Sequence, residues 1–551
     1  MTQLAGLSAE TSDLVFGTLR EILAEELSEA RSRELDARHE FPLALVRRLL
    51  SPEVGLQLLF LPEDAGGLGG GARDVCRLSE TMAAVDLGVA TAFLAIFLGT
   101  DPILVGGTDE QRRRWLGRIA AEGLIVAYGV TEPEAGSDFG ALRTAAEPVI
   151  GSEGEVVRYR LNGVKQFITN GSVADLYTIM ARAPEGPSFF VVERGTPGLT
   201  PGRPEDKHGI CASDTCSLFL ENVEVPAENL LGGVPGHGLK QASAVFGYTR
   251  LMVGAFGLGA GQAALDRAIA YAAERVQFGS PLLEKQAYAL KLLVPHWIDL
   301  AAGRAYVHEI ARRIDAGEKD LQVEGSIGKL WASEAGIRAS DAAIQALGGY
   351  GYTREYMVEK WHRDVRITSI YEGTSEIQQS IIGIHRWKDC VRTKGAFYGE
   401  AAREMEEMHA AFPAIGAEFE AAALRGLDAV VQRCHRTKDT RHQIVLFTLA
   451  NLATRVEVGA ALCREAARRA RLGEPDAATI AAASRVFARE TLSAVRAGGE
   501  LCLTGFLAGE DGAELAAAAV VTAPLREREA AGLAGQWRDM SLVADALRAG
   551  R

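Results

Sequence analysis

The spacing of apolar residues along the chain changes twice. Near the N-terminus, Val15, Leu19 and Leu23 recur every four positions, which places them on one face of a helix with about 3.6 residues per turn. In the middle of the chain the period shortens to two, the period of a strand. Helical spacing then returns and persists to the end. The first stripe of this second helical region consists of Leu265, Ile269, Ala272 and Val276, ended by Gly279.

Alternating side chains predict the strands of the middle region. Val157, Tyr159 and Leu161 alternate with two arginines, as expected of a half-buried strand. Asn162-Gly163 follows, and a hairpin turn is predicted there because both residues tolerate a positive φ. The returning strand covers 164–169, and further strands are predicted at 189–193 and 218–225.

These periods predict a mainly α protein with a central β domain. The chain has 551 residues, enough for several domains. It divides into an N-terminal helical domain at 1–125, a β domain at 126–235, a helical bundle domain at 236–390 and a C-terminal helical module at 391–551.

Charge and cysteine content narrow the class of protein. The formal net charge is −13, whereas nucleic-acid-binding domains carry a basic surface, so DNA and RNA are not expected as partners. The seven cysteines are dispersed, which predicts reduced thiols rather than a disulfide framework. The histidines do not cluster at metal-ligand spacing, and no bound metal is predicted.

The ends and the apolar stretches of the chain bear on its location. The first ten residues are polar and acidic, unlike a signal or transit peptide. We expect no stretch to approach the roughly 20 apolar residues that a membrane-spanning helix needs. The sequence therefore predicts a soluble, cytoplasmic protein.

The sharpest local pattern is the segment 370–378, Ile-Tyr-Glu-Gly-Thr-Ser-Glu-Ile-Gln. Ser375 and Gln378 have the spacing of a capping box, which predicts a helix from about residue 376. Glu372 then lies in the preceding loop, beside a glycine that allows a ligand to approach the backbone. From these residues alone, Glu372 is either a general base, whose basicity rises when a substrate desolvates it, or a surface acid favoured by the helix dipole.

Two further segments are rich in turn residues. The segment 128–138, Tyr-Gly-Val-Thr-Glu-Pro-Glu-Ala-Gly-Ser-Asp, offers hydroxyl and backbone N–H groups suited to a ring edge or a phosphate. The segment 345–352, Gln-Ala-Leu-Gly-Gly-Tyr-Gly-Tyr, allows close approach to a nucleotide, although glycines also commonly end helices. It is not a Rossmann fingerprint, because its glycine spacing differs and no strand precedes it.

Together these segments resemble the signatures of the acyl-CoA dehydrogenase family. Residues 130–138 resemble its first signature and residues 345–378 its second, while 165–170 and 275–279 match family motifs between them. The resemblance covers roughly residues 10 to 390 in family order. It implies an acyl-CoA dehydrogenase-like fold, with helical, β-barrel and helical-bundle domains. It also implies FAD-dependent α,β-dehydrogenation of an acyl-CoA to the trans-2-enoyl-CoA.

The resemblance assigns the catalytic base to Glu372. In the family, the backbone N–H of this glutamate also binds the thioester carbonyl. Some relatives carry the base on a helix just before an arginine, but the matching residue here, Thr249 before Arg250, is a threonine that cannot serve as the base. By the same resemblance, the substrate-binding residues are Ser137, Arg250, Tyr371 and Gly373.

The resemblance also implies which residues bind FAD. The isoalloxazine ring would contact the segment after Tyr128 and the strand around Phe167, where a phenylalanine replaces the tryptophan common in the family. The ADP part of a flavin bound mainly by the neighbouring subunit would be held by Arg275, Phe278, Gln345 and Gly349, with Arg275 supplying the cation that a diphosphate needs. The full set of flavin contacts implied by the resemblance is Tyr128, Val130, Thr131, Gly136, Ser137, Phe167, Ile168, Thr169, Arg275, Phe278, Gln345, Gly348, Gly349, Thr374 and Glu376.

The length of the C-terminal module resembles that of very-long-chain acyl-CoA dehydrogenases. This implies a homodimer acting in fatty acid β-oxidation, with an electron-transfer flavoprotein as the electron acceptor. The segment 463–471 carries several arginines. It is either a peripheral contact with anionic lipid or a solvated helix face.

Other functions on the same fold stay open at the level of the sequence. An acyl-CoA oxidase, a flavin monooxygenase and a dehydrogenase of carrier-protein thioesters are the enzymatic alternatives, although a monooxygenase needs no base at Glu372. A non-catalytic scaffold is the remaining alternative, and the joint presence of Glu372, Thr169 and Arg275 argues against it.

Overall fold

The computed structural model describes residues 6–508 and 511–550, so the outermost residues of the predicted first and last domains lie outside the described part. The chain forms two compact units. One contains the chain up to Ala260, together with Ala311–Gln322 and Arg363–Ile367. The other contains Gly261–Ile310, Val323–His362 and the chain from Thr368 onwards. The division into four domains stays a prediction.

The first unit begins with helices, as the apolar period predicted. Leu19 and Leu23 are buried on the first helix, whose N-cap is Ser8. Thr108 and Gln111 form a capping box that starts the last helix before the sheet. The helices are α1 Ala9–Glu26, α2 Glu29–Arg38, α3 Leu43–Leu49, α4 Ala72–Val85, α5 Leu87–Gly106 and α6 Asp109–Glu122.

Helix α5 lies in the core of the first unit, where the ring of Phe97 packs 4.3 Å from that of Phe60. Because protein surrounds it, α5 is apolar around its whole circumference. By length and composition, α5 and the helix Gln443–Leu472 could each span a bilayer. However, 78% of the most apolar stretch of α5 and 61% of that of the second helix are buried inside the fold. The prediction that no stretch approaches this length is therefore wrong, and the burial of α5 explains its composition.

A curled sheet follows the first helices. Its strands are β1 Val126–Gly129, β2 Ala145–Ile150, β3 Val156–Thr169, β4 Leu176–Ala183, β5 Gly186–Glu193, β6 Leu199–Pro204 and β7 Thr215–Pro226. They lie in the order β1-β4-β2-β3-β7-β6, with β5 on β4. β1 and β4 are parallel, whereas β3 pairs with both β2 and β7 in antiparallel fashion. The predicted strands at 189–193 and 218–225 are confirmed within β5 and β7.

The hairpin predicted at Asn162-Gly163 is wrong. β3 runs straight through both residues, and its pairing with β7 shifts register between Leu161 and Gly163. The Asn162 carboxamide accepts the backbone N–H of Asn222 across this irregularity (2.8 Å). A glycine is required because a Cβ at position 163 would lie 2.6 Å from the Thr144 hydroxyl oxygen. The Asn-Gly pair therefore marks a bulge and a close approach, which the same residue types also favour.

The described chain after the sheet is mainly helical. Helix α7 Gly238–Glu274 ends just before Val276, which lies in a short exposed strand rather than on the predicted helical stripe. The short strands are β8 Val276–Gln277 and β9 Ser280–Pro281. The helices that follow are α8 Gln286–Leu292, α9 Val294–Asp315, α10 Gln322–Leu347, α11 Met357–Val365, α12 Ser375–Arg392, α13 Ala396–Ala411, α14 Ala417–Thr437, α15 Gln443–Leu472, α16 Ala477–Thr504, α17 Gly512–Gly532 and α18 Gln536–Arg548.

The helices beyond residue 395 pack into the same unit as α10 and α12. Gly383 brings α12 so close to α15 that a Cβ there would meet the Leu446 carbonyl oxygen at 2.5 Å. The buried guanidinium of Arg386 bonds the Glu457 carboxylate with two nitrogens (2.6 and 2.8 Å). Small residues and buried ion pairs thus hold α12 against α15.

Candidate active site

The segment after β1 is held against β3. Gln166 donates its backbone N–H to the Thr131 carbonyl (2.9 Å), and Lys165 donates its ammonium to the Val130 carbonyl (3.1 Å). Two of the predicted flavin contacts, Val130 and Thr131, therefore lie beside the end of β3 that carries a third, Phe167.

A buried ion pair reinforces this arrangement. The ammonium of Lys165 lies 2.7 Å from the Glu132 carboxylate, and both side chains are almost fully buried. That carboxylate also accepts the backbone N–H groups of Arg143 and Thr144 (2.6 and 3.0 Å). Burial lowers the pKa of Lys165 to about 8 against the attraction of Glu132. Burial alone would raise the pKa of Glu132, but Lys165 and the Arg143 N–H outweigh it and hold that pKa below its usual value.

Phe167 lies at a bulge with strained backbone. Its φ is +58°, a left-handed conformation that is uncommon for residues other than glycine. The pairing of β3 with β7 shifts register between Lys165 and Ile168, and the Phe167 side chain is 62% exposed. A strained backbone that presents a large apolar ring to the outside points to a binding role.

The other flavin contacts predicted in the first unit differ in their exposure. Ile168 is buried and therefore offers its backbone rather than its side chain, whereas Thr169 is half-buried. Tyr128 is half-buried with its ring 5.8 Å from that of Phe189. Gly136 and Ser137 are exposed, and a Cβ at Gly136 would meet no atom within 4 Å.

Arg250 is placed on α7 as a mostly buried side chain. One of its guanidinium nitrogens donates to the Gln322 carbonyl (3.2 Å). The preceding residue, Thr249, is fully buried, and its hydroxyl donates to the Val245 carbonyl (3.3 Å). The Thr249 position therefore carries no acid or base.

In the second unit, Glu372 occupies a turn with two consecutive left-handed residues. Its φ is +54° and that of Gly373 is +87°. The buried carboxamide of Gln378 donates to the carbonyls of both residues, at 3.0 Å each. The buried ammonium of Lys329 donates to the Gly373 carbonyl as well (2.5 Å). Tyr371 and Glu372 are half-buried, so the turn is fixed from inside while its side chains stay reachable.

The helix after this turn begins as predicted, but its cap is one residue earlier. Thr374 is the N-cap of α12, and its hydroxyl accepts the Ile377 N–H (3.3 Å). Ser375, predicted as the cap, donates its hydroxyl to the Glu334 carboxylate instead (2.7 Å). The predicted capping box is therefore wrong, because Gln378 holds the turn carbonyls rather than the cap. Glu376 is exposed in the first turn of α12.

A cavity of about 520 Å³ in the second unit brings several predicted residues together. Arg275 lies in it with its guanidinium 6.0 Å from the centre of the Tyr350 ring. Gly348 has a φ of +61°, and neither it nor Gly349 has an atom within 4 Å of a built Cβ. The predicted flavin contacts that line this cavity are Arg275, Gln345, Gly348 and Gly349. Phe278 does not line it, and its side chain is 97% exposed at the β8–β9 turn.

Sequence reasoning missed Lys329 as a site residue. It belongs to the apolar and small-residue stretch of α10 at 325–332, Gly-Ser-Ile-Gly-Lys-Leu-Trp-Ala. A lysine inside such a stretch is rarely buried without a partner, and that was the available signal. The Gly373 carbonyl, which accepts one of its hydrogen bonds, is 44 residues away in the chain.

Three family models match the chain in order. They describe the N-terminal domain of acyl-CoA dehydrogenases at residues 9–123, the middle domain at 127–223 and the C-terminal domain at 236–385. An acyl-CoA dehydrogenase of Bacillus subtilis (strain 168) is 37% identical over 379 residues, which are 66% of this chain and 94% of that protein.

Solved structures show the same fold. An acyl-CoA dehydrogenase from Bacillus anthracis, solved with FAD, matches 99% of this chain and 96% of its own, with a TM-score of 0.84 at 23% identity. The butyryl-CoA dehydrogenase of Megasphaera elsdenii matches 68% of this chain and 98% of its own, with a TM-score of 0.64 at 35% identity. The fold similarity to the Bacillus anthracis protein thus extends through the C-terminal helices.

Proposed function

Because this chain belongs to the acyl-CoA dehydrogenase family, we propose that it oxidises an acyl-CoA thioester to the trans-2-enoyl-CoA, with FAD as its redox cofactor. An electron-transfer flavoprotein is the proposed acceptor of the electrons. The observation that carries this proposal is the Glu372 turn, in which two buried donors, Lys329 and Gln378, hold a half-buried acid on a left-handed backbone.

The residues present fit FAD. The cavity beside Arg275 combines a cation with two open glycines, Gly348 and Gly349, which suits a diphosphate that must approach the backbone closely. The exposed ring of Phe167 offers an apolar surface for a flat aromatic system. We therefore assign the isoalloxazine ring of the chain's own FAD to Val130, Thr131, Phe167 and Thr169. The cavity residues are assigned to the ADP part of a FAD that is bound mainly by the neighbouring subunit.

The chemistry assigned to the protein itself is proton removal. The α C–H bond of the thioester breaks, and its proton passes to the Glu372 carboxylate while its electrons form the new double bond. The backbone N–H of Glu372 is assigned to the thioester carbonyl, where it stabilises the negative charge that develops. FAD, when bound, supplies the acceptor for the β-hydrogen, which leaves with both bonding electrons. Tyr371 and Gly373 flank the thioester.

The proposal is tested by anaerobic reduction of the purified flavoprotein with acyl-CoAs that differ in chain length, branching and ring content. We expect the flavin absorbance near 450 nm to bleach with at least one of them. Rapid reoxidation of the reduced enzyme by air would identify an acyl-CoA oxidase instead. Bleaching only by acyl groups on a carrier protein would identify the carrier-protein alternative, and failure to bind flavin would favour the scaffold.

Replacing Arg275 with glutamate is expected to yield protein that purifies with little flavin and regains activity only with excess FAD. The substitution places a carboxylate beside the proposed diphosphate site and turns attraction into repulsion. The ratio of flavin to protein absorbance and the dissociation constant for FAD measure the effect. Lys291→Glu is the matched control, a charge reversal at an exposed residue of α8 outside the cavity. Equal flavin retention in both variants would contradict the assignment.

The remaining parts of the proposal concern assembly and location. We propose a homodimer that acts in fatty acid β-oxidation in the cytoplasm, because family membership and the added C-terminal helices agree with such an enzyme. Sedimentation equilibrium tests the dimer. Reduction of a purified electron-transfer flavoprotein by the substrate-reduced enzyme tests the acceptor.

The arginines of 463–471 offer little free positive charge for a membrane. Arg464 donates to the Glu309 carboxylate (2.8 and 2.9 Å), and Arg468 donates to Glu465 (2.8 and 2.9 Å). Arg469 is paired with Glu465 (2.6 Å) and with Asp476. We therefore expect the protein to remain in the supernatant when vesicles with 30% anionic lipid are pelleted at low salt. Salt-sensitive co-sedimentation, weakened by Arg468→Gln, would show that this segment meets lipid.

A further inference from the structure

One side of α10 makes a row of polar contacts with the segment that carries Glu372. Lys329 donates to the Gly373 carbonyl (2.5 Å). Ser333 lies one helical turn further and donates its hydroxyl to the Thr368 carbonyl (3.2 Å). Glu334 then accepts the Ser375 hydroxyl (2.7 Å). Lys329 and Ser333 are four positions apart and share a helix face, and Glu334 is the next residue after Ser333. These three residues of α10 bond the segment 368–375 at its beginning, at the turn and at its end.

The turn between these contacts needs such support. Glu372 has a left-handed backbone although it is not a glycine, a conformation that persists only where the surroundings determine it. Its carbonyl and that of Gly373 both point to the same donor, the Gln378 carboxamide. Two carbonyl oxygens directed to one place create a local negative potential, and the ammonium of Lys329 lies there.

Helices beyond residue 395 also contact α10, through Trp331. The Trp331 ring meets the Phe487 ring edge-on at 5.2 Å, and the Arg455 guanidinium lies 5.6 Å from the Trp331 ring centre. Trp331 also donates its indole N–H to the Asp299 carbonyl (3.0 Å). The helix that carries Lys329 is thus itself fixed, which a positioning role requires.

We propose that Lys329 is a positioning residue for the reaction: its buried ammonium, together with the Gln378 carboxamide, fixes the Glu372-Gly373 turn so that the Glu372 carboxylate and backbone N–H point to the thioester. The inference rests on the proposed function in assigning the base to Glu372. It goes beyond that function because it makes the geometry of the base depend on a buried lysine of α10, 44 residues away from the turn in the chain.

The test compares Lys329→Met with Lys329→Gln in the full-length flavoprotein. Methionine and glutamine are each one atom shorter than lysine along the side chain. Methionine has no donor, whereas glutamine keeps an N–H donor. We expect Lys329→Met to bind acyl-CoA with an affinity close to that of the parent and to reduce its flavin about 10²-fold more slowly, since small displacements of reacting groups have effects of that size. Lys329→Gln should recover at least part of the rate. Ser340→Ala is the control, a buried polar group of α10 that bonds the Ile337 carbonyl and the His362 ring instead.

Two further measurements separate this inference from the proposed function. Hydrogen exchange of the peptide 368–378 should be faster in Lys329→Met than in the parent or in Ser340→Ala, whatever reaction the enzyme catalyses. The second measurement is the exchange of the α-proton with solvent in an acyl-CoA analogue that lacks a transferable β-hydrogen. In Lys329→Met this exchange should be slower than in the parent, by about the same factor as flavin reduction. If Lys329→Met does not fold, Gln378→Met is measured in the same way, with the same expectation.

The outcomes are distinct. A parent enzyme that no acyl thioester reduces would overturn the proposed function, while the exchange rates of 368–378 would still report whether Lys329 fixes the turn. A parent enzyme that is reduced, together with Lys329→Met and Gln378→Met variants of unchanged reduction rate and exchange, would overturn the positioning role. A loss confined to melting temperature, with an unchanged reduction rate, would also overturn it, because it would show a purely structural lysine.

Discussion

The Glu372→Gln variant is expected to retain FAD and acyl-CoA binding and to lose dehydrogenation. The carboxamide keeps the shape of the side chain but cannot accept the α-proton, so flavin reduction should slow by at least the ~10²–10⁴-fold typical of general-base removal. The turn itself should survive, because Lys329 and Gln378 bond its backbone carbonyls, which the substitution leaves in place. Stopped-flow reduction by a saturating acyl-CoA measures the rate.

Two comparisons make this result specific to the base. Glu284→Gln removes an acid from an exposed position of the same unit and should reduce flavin at the parental rate. Acyl-CoA binding to Glu372→Gln, followed by the shift in the flavin spectrum, should stay within a few-fold of the parent. Near-normal turnover by Glu372→Gln would mean that the base lies elsewhere. A variant that no longer binds acyl-CoA would mean that Glu372 serves binding rather than proton removal.

Truncation after Gly395 is expected to expose apolar surface and to change the oligomeric state to a tetramer or an aggregate. Residues removed by the truncation cover α10 and α12: Phe487 packs on Trp331, and Glu457 pairs with the buried Arg386. The close approach of α12 to the Leu446 backbone at Gly383 would also be lost. An apolar helix face left uncovered in this way seldom stays monodisperse.

A shorter relative provides a comparison for the truncated chain. The Bacillus subtilis enzyme matches 66% of this chain over 94% of its own length, so it is shorter than this chain. In this chain, residues beyond 395 cover the faces of α10 and α12 that carry Trp331 and Arg386. The truncated protein should therefore associate through those faces.

Light scattering coupled to size-exclusion chromatography measures the molar mass of the truncated chain and so its oligomeric state. The truncated chain is compared with a truncated chain that also carries Trp331→Ser, which makes part of the uncovered surface polar. We expect the second protein to form smaller species. Glu372 and the cavity residues lie outside the deleted part, so dispersed protein should still be bleached by acyl-CoA. A truncated chain of unchanged size would show that the C-terminal helices are an independent appendage.

Local patterns in the sequence determined the kinds of element and several places of interest. Helical spacing near the N-terminus and β-strand spacing at 157–161 were confirmed because side-chain periodicity is set by the backbone and needs no partner. The motif around Glu372 predicted a turn followed by a helix, and the structure has both. The glycines at 348–349 predicted close approach to the backbone, and they line an open cavity with Arg275.

Only the tertiary structure decided which local structure formed where the sequence allowed two. Asn162-Gly163 is a bulge rather than a turn because Thr144 leaves no room for a side chain at 163. Thr374 rather than Ser375 caps α12, because Glu334 takes the Ser375 hydroxyl. Each choice depends on a neighbour from another element, and local sequence preferences allow both answers.

The charged side chains that find distant partners depend on the tertiary structure in the same way. Lys165 meets Glu132 across 33 residues, Lys329 meets Gly373 across 44, and Arg464 meets Glu309 across 155. In the sequence Lys165 and Arg464 read as solvated charges, because charged side chains are mostly exposed. The apolar neighbours of Lys329 signal its burial but not its partner. Pairing requires that distant segments meet, and the chain's fold alone brings them within hydrogen-bonding distance.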